Sequence, residues 1–194
     1  KGEVIVVDGG STDDSIRVAE SKDAIVLHSS AGRARQMNLG AEHSRGETVL
    51  FLHADSVMPE DFPQVIASAL ETADWGRFDV RLSGSAAMLR LVEFMMNARS
   101  ALTGICTGDQ GIFVKTKVFK EIGGFPEIPL MEDIAFSKGM PSRPYRVRER
   151  LIASSRRWEK SGIFKTIWLM WSLRWRFHFG ADPRDLAREY GMSR

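Results

Sequence analysis

The chain has 194 residues, of which 43% are hydrophobic, and this length corresponds to one domain, or one domain with an appendage, that can bury a sizeable core. Its formal net charge of +2 gives no indication of nucleic-acid binding, and no uncharged apolar run reaches the ~20 residues that span a bilayer. Cys106 is the only cysteine, which excludes an internal disulfide and a thiolate metal cluster and fits a cytoplasmic location, and the opening residues predict a strand rather than a signal peptide.

The first half of the sequence alternates predicted strands with predicted helices. Short, unbroken apolar runs predict buried strands, and capping residues, prolines and glycines bound the helices between them. The strands are Val4–Val7, Ala24–Leu27 and Thr48–Leu52, and the helices are Ser11–Ser21, Gly32–Ala41 and Pro59–Leu70. This order predicts an α/β fold with a mostly parallel sheet and helices on both faces.

The middle and last thirds have a different pattern. Arg77–Leu82 alternates strictly between polar and apolar residues, which predicts a strand with one face in water. Ala86–Leu102 predicts a helix that carries Arg90, Glu93 and Asn97 on one side. The remaining predictions are a strand at Gly111–Val114, helices at Thr116–Ile122, Glu132–Ser137, Ile163–Phe179 and Asp182–Tyr190, and a basic loop at Arg143–Arg150.

Two predicted strands end in acidic residues. Asp8 follows the first strand and Asp55 follows the third, and ligands of open parallel sheets bind beyond the carboxyl ends of the strands. Asp13 and Asp14 would repel a phosphate at the next helix start, so this turn is not a phosphate cradle. Asp8 instead suits neutral donors such as a nucleobase N–H or ribose hydroxyls. The alternative is that Asp8 only caps its own turn.

His53 and Asp55 together suggest a metal site. A hard cation that bridges a diphosphate takes one or two carboxylates, with phosphate and water as the other ligands. The imidazole nitrogen of His53 would favour Mn²⁺ somewhat over Mg²⁺. The alternative is structural, with His53 filling the strand end and Asp55 capping the next helix.

Two further clusters have both a catalytic and a structural interpretation. Glu132 and Asp133 follow a loop rich in glycine and proline and either include a general base or form the first turn of a helix. Arg156, Arg157 and Trp158 offer bidentate phosphate binding and a flat apolar surface for a sugar, or else form a solvated basic turn with a core tryptophan.

Six motifs, in order and at suitable spacing over nearly the whole chain, resemble glycosyltransferase family 2 with its GT-A fold. They are VDGGSTDDS (7–15), GRARQMNLG (32–40), LHAD (52–55), GDQGIFV (108–114), GGFPEIPLMED (123–133) and SRRWE (155–159). More narrowly, the chain is similar to a bacterial subfamily labelled arsenosugar-biosynthesis or radical-SAM/selenodomain-associated glycosyltransferases. That label describes genomic context and does not specify an acceptor.

The resemblance implies transfer of a sugar from a nucleotide donor, with a UDP-sugar favoured, and with inversion at the anomeric carbon. Asp8 and Gly10 would bind the nucleotide, and Arg33 or Arg35 would lie near the diphosphate. Arg157 belongs to an arginine–tryptophan pair found near the active site in many relatives.

The resemblance also implies roles for the other acidic residues. Asp55, with His53, would hold Mn²⁺ or Mg²⁺ in place of the family's Asp-x-Asp. Asp133 would take the proton of the acceptor hydroxyl, with Glu132 beside it. The acceptor side would be lined by Asp109, Gln110 and Trp158.

The sequence departs from the family pattern at three places. Gly9 replaces the second of two acids, and His53 replaces the first acid of the metal motif. Relatives also have a preceding strand that ends in a Pro-x-x-Asn-Glu type of sequence. We therefore expect a GT-A catalytic domain at residues 1–160 with its first strand missing, followed by an amphipathic helical extension at 161–194.

The extension carries an aromatic stripe at helical spacing. Phe164, Trp168, Trp171, Trp175 and Phe179 recur at three- and four-residue steps and share one face. The stripe is expected to pack on the domain or on a second copy in a homodimer. Alternatively, it rests on the inner face of an anionic membrane. The acceptor is a lipid or a small molecule, and packing and membrane contact can coexist if it is a lipid.

Two rival functions remain at this point. One is a nucleotidyltransferase of similar fold, although Asp13 and Asp14 argue against its usual glycine-rich phosphate loop. The other is a non-catalytic, membrane-associated nucleotide-sugar-binding module, for which Gly9 and His53 are the best support.

Overall fold

The computed structural model describes residues 2–191, and these form an α/β fold of sheets flanked by helices, as the sequence predicts. The strands are β1 (Ile5–Asp8), β2 (Ile25–His28), β3 (Thr48–Phe51), β4 (Trp75–Leu82), β5 (Ile112–Lys115) and β6 (Tyr145–Ala153). The helices are α1 (Ser15–Glu20), α2 (Arg33–His43), α3 (Phe62–Thr72), α4 (Ala87–Thr103), α5 (Thr116–Glu121), α6 (Glu132–Gly139), α7 (Arg156–Ser161), α8 (Ile163–His178) and α9 (Pro183–Tyr190).

The described strands form two hydrogen-bonded groups. β1 and β2 pair in parallel, and the other four lie in the order β3-β5-β4-β6. β5 is antiparallel to both β3 and β4, whereas β4 and β6 are parallel. Three of these four strands therefore run in the same direction, and β5 alone is reversed.

Strand β4 is buried on both faces, which corrects the prediction of one wet face. Within the alternating segment, only Arg81 is exposed. Arg77 forms an ion pair with Asp79, and Arg146 of β6 binds the other oxygen of Asp79 at 2.8 Å. Burial opposes the charged carboxylate, but hydrogen bonds from Arg146 and Arg77 hold the pKa of Asp79 below its ordinary value. Arg77 and Asp79 thus pair internally instead of facing water.

Helix α4 is fixed against β4 by its predicted polar side. The Asn97 side chain accepts a hydrogen bond from the Val80 amide at 2.8 Å and donates one to the Val80 carbonyl at 3.0 Å. Glu93 accepts from the Leu82 amide, and Arg90 donates to the Leu82 carbonyl at 2.7 Å. These side chains satisfy backbone groups that a neighbouring strand would otherwise pair. The helix is consequently held in a defined position beside the candidate site.

The predicted basic loop at Arg143–Arg150 is wrong, because most of it belongs to β6. This strand pairs with β4 along its length, with a register shift between Phe78 and Asp79. Val147 and Leu151 of β6 are buried while the arginines between them are exposed. The irregularity breaks the period of two that would identify a strand, and the exposed charges suit an edge position. The alternative of a basic turn at Arg156–Trp158 is also wrong about the local structure, since Arg156–Ser161 forms α7.

The C-terminal helices pack on the domain, but not through the aromatic stripe. Leu173 of α8 and Leu186 of α9 share a buried cluster with Met131 and Ile134. The aromatic residues of the stripe face outward, with 62–79% of each exposed. The prediction that the stripe packs on the domain is therefore wrong, whereas a second copy and a membrane surface stay predictions. None of the helices within residues 2–191 combines the length and the hydrophobicity that a membrane span needs.

Candidate functional site

The turn after β1 is organised by Asp8. Its carboxylate accepts hydrogen bonds from the Gly10 amide at 2.9 Å and the Ser11 amide at 3.0 Å. Hydrogen bonding from Ser11 and then Gly10 holds the pKa of Asp8 below its ordinary value, so the side chain is an anion at neutral pH. Gly10 has a backbone φ of +102°, which residues other than glycine rarely adopt. Asp8 therefore does cap its own turn, as the structural alternative predicts.

Gly9 is closely approached by the side chain of Gln36. A Cβ atom on Gly9 would lie 2.9 Å from Nε2 of Gln36, and that nitrogen donates to the Val7 carbonyl at 2.8 Å. An aspartate at position 9 would require the Gln36 side chain to move.

The two arginines at the start of α2 have different environments. The Nε of Arg33 lies 3.0 Å from Oε1 of Glu132, which is only 3% exposed. Burial raises the pKa of Glu132, Arg33 opposes this shift, and the charge of Asp133 adds to it. Arg35 points elsewhere, to an exposed ion pair with Glu127 at 3.4 Å. Arg33 is therefore the arginine held near the predicted catalytic acids.

Gly108 brings together residues from three distant parts of the sequence. Its amide donates to Oδ2 of Asp133 at 3.0 Å. A Cβ atom on Gly108 would lie only 2.8 Å from Nε2 of His53, so the imidazole packs against the backbone here. The neighbouring Gln110 is fully buried and caps a short 3₁₀ turn with Thr107. His53, the predicted metal ligand, and Asp133, the predicted base, thus both approach Gly108.

Asp55 and the arginines of α7 are more exposed. The carboxylate of Asp55 lies 3.3 Å from Arg156. Arg157 donates to the Tyr190 carbonyl at 2.9 Å, and its guanidinium lies 3.6 Å from the centre of the Tyr190 ring. Trp158 is partly buried against the main core. Helix α9 therefore fixes the position of Arg157.

A cavity of about 1290 Å³ connects several of these groups. Of the predicted site residues, those that line it are Arg33, His53, Asp55, Asp109, Arg157 and Trp158. Those that do not line it are Asp8, Gly10, Arg35, Gln110, Glu132 and Asp133. Glu132 and Asp133 contact lining residues or their neighbours. Strand β1, which ends at Asp8, is hydrogen-bonded to α2, the helix that begins with Arg33.

The donor set in the cavity fits a divalent cation only in part. His53 and Asp55 both line the cavity and are two residues apart. Within the described range, no group of three or more histidine, cysteine or acidic residues is placed to hold a metal ion. A cation at these two residues would need further oxygen ligands, which a diphosphate can supply.

Two arginines that the sequence did not single out also line this cavity. They are Arg99 of α4 and Arg174 of α8. Polar residues flank both of them, with Asn97 and Ser100 near Arg99 and Arg176 near Arg174. No local pattern therefore distinguishes these two arginines, and only the fold brings them to the cavity.

Solved structures share this fold at low sequence identity. S. aureus TarS (residues 1–349) has 19% identity and a TM-score of 0.60, over 79% of this chain and 51% of its own. The mannosyltransferase PcManGT from Pyrobaculum calidifontis, in complex with GDP-Man and Mn²⁺, has 22% identity and a TM-score of 0.51, over 78% of this chain and 47% of its own. Glucosyl-3-phosphoglycerate synthase from Mycobacterium tuberculosis, with Mn²⁺ and UDP, has 17% identity and a TM-score of 0.54, over 76% and 59%.

These likenesses define a protein of the GT-A fold, and the chain spans about half the length of the solved structures it matches. A search of curated proteins found no match. The sequence itself is more specific. The model of glycosyl transferase family 2 matches residues 1–114, more than half of the chain, and the chain belongs to that family.

Proposed function

We propose that the protein transfers a sugar from a nucleoside-diphosphate donor to an acceptor hydroxyl, with inversion at the anomeric carbon. The observation that carries this proposal is the cavity in which Arg33, Asp55, Asp109 and Arg157 meet from four separate parts of the chain. Arginines bind phosphate oxygens bidentately, and the carboxylates suit a cation and sugar hydroxyls. Membership of family 2 supports the same chemistry.

The reaction requires two opposite charges to be stabilised. The hydroxyl oxygen of the acceptor forms a bond to the anomeric carbon, and the bond from that carbon to the diphosphate breaks. The hydroxyl proton passes to Asp133, and the nucleoside diphosphate leaves with the electron pair. Arg33 and Arg157 offset the negative charge that develops on this leaving group.

We assign the proton-accepting role to Asp133 and a contact with the acceptor to Asp109. Asp133 is fixed by the Gly108 amide at 3.0 Å and by the Ile134 amide at 2.7 Å. Glu132, buried and paired with Arg33, positions the start of α6 beneath it. Asp109 lies one residue beyond Gly108 and faces the cavity, where Trp158 offers a surface for a sugar ring.

His53 and Asp55 would hold Mn²⁺ or Mg²⁺ together with the donor diphosphate. When bound, such a cation neutralises charge on the leaving diphosphate. The solved complexes of the mannosyltransferase and the phosphoglycerate synthase both contain Mn²⁺, which supports this assignment. On the nucleotide side, we propose that Asp8 and Gly10 contact the base or ribose, with a UDP-sugar as the favoured donor.

The aromatic stripe, which forms the aromatic face of α8, is proposed to contact an anionic lipid surface. Phe164 and Trp168 are 73% and 79% exposed, and the exposed Lys160 and Lys165 lie on the same part of the chain. Aromatic side chains with neighbouring cations suit the interface of an anionic bilayer.

The narrower bacterial subfamily, with its cytoplasmic location, remains a prediction from the motifs.

Titration of the full chain with UDP-sugars and GDP-sugars, with and without Mn²⁺, tests the proposal. We expect saturable donor binding and slow release of the nucleoside diphosphate by hydrolysis. Saturable binding with neither hydrolysis nor transfer would instead support the non-catalytic binding module. Release of pyrophosphate from a nucleoside triphosphate and a sugar phosphate would support the nucleotidyltransferase.

A further inference from the structure

The cavity has two apolar walls that the donor chemistry does not use. One wall is a face of α4 and the other a face of α8, since the lining residues of each recur at three- and four-residue steps. Apolar residues on these walls include Phe94, Leu102, Ile167, Met170, Trp171 and Trp175. Phe94 and Leu102 are 69% and 78% exposed, so hydrocarbon surface remains in contact with water there.

The size of the cavity also exceeds what one polar ligand needs. Its volume of about 1290 Å³ is above the range of roughly 300–1,000 Å³ that is typical of small-molecule sites. The donor-side residues Arg33, His53 and Asp55 come from other elements than the apolar walls. The space between α4 and α8 is therefore available to a second, less polar ligand.

Two arginines interrupt these apolar walls. Nε and Nη2 of Arg99, and Nε of Arg174, are buried without a hydrogen-bond partner among the described residues. Nη1 of Arg99 donates to the Ile105 carbonyl at a long 3.4 Å. Burial lowers the pKa of Arg99 to about 10, and the neighbouring charge of Arg174 contributes to this shift. A buried guanidinium with free N–H groups is costly unless an acceptor pairs with it.

The nearby carboxylates do not remove this cost. Asp109 and Asp133 attract Arg99 electrostatically, but within residues 2–191 neither forms an ion pair with it or with Arg174 within 4 Å. Asp109 instead accepts a hydrogen bond from Thr107, and Asp133 binds backbone amides. The two arginines thus line the cavity and hold unsatisfied donors just beneath its wall, and a rotation of either guanidinium would bring these donors to an anionic group with several oxygens.

We propose that the acceptor is an amphipathic molecule, with an anionic head group bound by Arg99 and Arg174 and a hydrocarbon chain lying between α4 and α8. This inference rests on the proposed function, because it names the acceptor class of the same site. The hydroxyl that receives the sugar would belong to the head group, so the bonds made and broken are those given above. The exposed Trp171 and Trp175 at the cavity connect it to the aromatic face of α8.

Oleoyl lysophosphatidic acid is a suitable probe, since it combines a phosphate, a free hydroxyl and one acyl chain. We expect the full chain to bind its monomers saturably, as measured by calorimetry. Glycerol 3-phosphate and inorganic phosphate, which lack the chain, and lysophosphatidylcholine, which is zwitterionic, should bind at least about tenfold more weakly. Equal binding of inorganic phosphate would show a free-anion site only and would overturn the proposal.

Charge-removing variants test the two arginines. Arg99→Gln should weaken the binding of lysophosphatidic acid about tenfold or more and leave the binding of lysophosphatidylcholine unchanged. Arg174→Gln, on a different helix, should do the same if the first variant fails to fold. Arg188→Gln is the matched control, because among residues 2–191 the Arg188 side chain pairs only with the exposed Asp185 of α9 and does not line the cavity. Unaltered lysophosphatidic acid affinity in both cavity variants would contradict the inference.

Donor binding separates this inference from the proposed function. UDP affinity should be the same in the wild type, Arg99→Gln and Arg174→Gln. If UDP and lysophosphatidic acid compete for binding, and both variants have a lower affinity for UDP, these arginines bind the donor diphosphate instead. Normal UDP binding without lysophosphatidic acid binding would overturn the acceptor class alone, whereas failure to bind any nucleotide sugar would overturn the proposed function.

Discussion

Replacing Arg33 by alanine should destabilise the protein in a pH-dependent manner. The change leaves the carboxylate of Glu132 buried, since Glu132 is 3% exposed and its second oxygen has no hydrogen-bond partner among the described residues. Removing one partner of a buried ion pair costs about 3–5 kcal/mol. Because Arg33 itself is 36% exposed, we expect the low end, roughly 3 kcal/mol. For a chain of this length that corresponds to a fall in Tm of about 6–12 °C.

Arg35 provides the control on the same helix. Its ion pair with Glu127 is 3.4 Å long, with both side chains at least half exposed. Such a pair contributes about 0–1 kcal/mol, so Arg35→Ala should barely change the free energy of unfolding. Urea unfolding followed by tryptophan fluorescence would measure both variants.

The sign of the pH dependence follows from Glu132. Burial raises its folded-state pKa above the ordinary value of 4.5, and loss of Arg33 should raise it further. A carboxyl group whose pKa is higher in the folded than in the unfolded protein stabilises the fold fully at pH values below its unfolded-state pKa. That contribution is lost as the pH rises through the folded-state pKa. The loss in Arg33→Ala should therefore be largest near pH 8 and shrink towards pH 5. A loss equal to that of Arg35→Ala, or independent of pH, would refute this reasoning.

Four further outcomes are expected. Asp133→Asn should keep donor affinity but reduce transfer at least about 100-fold, because the proton acceptor is lost, and unchanged turnover would rule out that role. Asp55→Ala should abolish Mn²⁺-stimulated donor binding in calorimetry, and normal stimulation would contradict the metal assignment. Burial raises the pKa of the Cys106 thiol to about 11, so a disulfide reagent at pH 8 should react only in denaturant, and rapid labelling of the folded protein would be inconsistent with this. Trp168→Ala should reduce co-sedimentation with anionic vesicles, whereas a dimer in size-exclusion chromatography that this variant dissociates would favour a second copy of the chain on the aromatic face.

The sequence predicted well where local pattern decides structure. Short apolar runs such as Thr48–Phe51 form strands whatever packs on them, and the predicted bounds agree with the structure to within a few residues. Prediction from local pattern failed where residues distant in the sequence determine which side chains are buried. The alternation at Arg77–Leu82 predicts a wet face, but Arg146, almost seventy residues away, neutralises Asp79 and allows it to be buried. No local signal reveals such a partner.

The candidate site shows the same division. Residue types at strand ends suggested Asp8 and Asp55, but only the fold distinguishes Arg33 from Arg35, two residues apart on α2. Their side chains point in different directions, so one lines the cavity and the other pairs with Glu127. The meeting of His53 and Asp133 at Gly108 likewise depends on the close approach that a glycine permits. Spacing along the chain contains no such information.

The family match also divides the cavity in a way that bears on specificity. Arg33, His53 and Asp55 lie within residues 1–114, whereas the α8 wall with Arg174 lies beyond them. Helix α8 is nevertheless packed on the domain, because Leu173 is fully buried beside Met131, which immediately precedes the predicted catalytic acids. This packing fixes the α8 wall relative to α6, the helix that begins with those acids. For this reason we expect changes in the α8 wall to alter acceptor choice while leaving donor choice to the matched region.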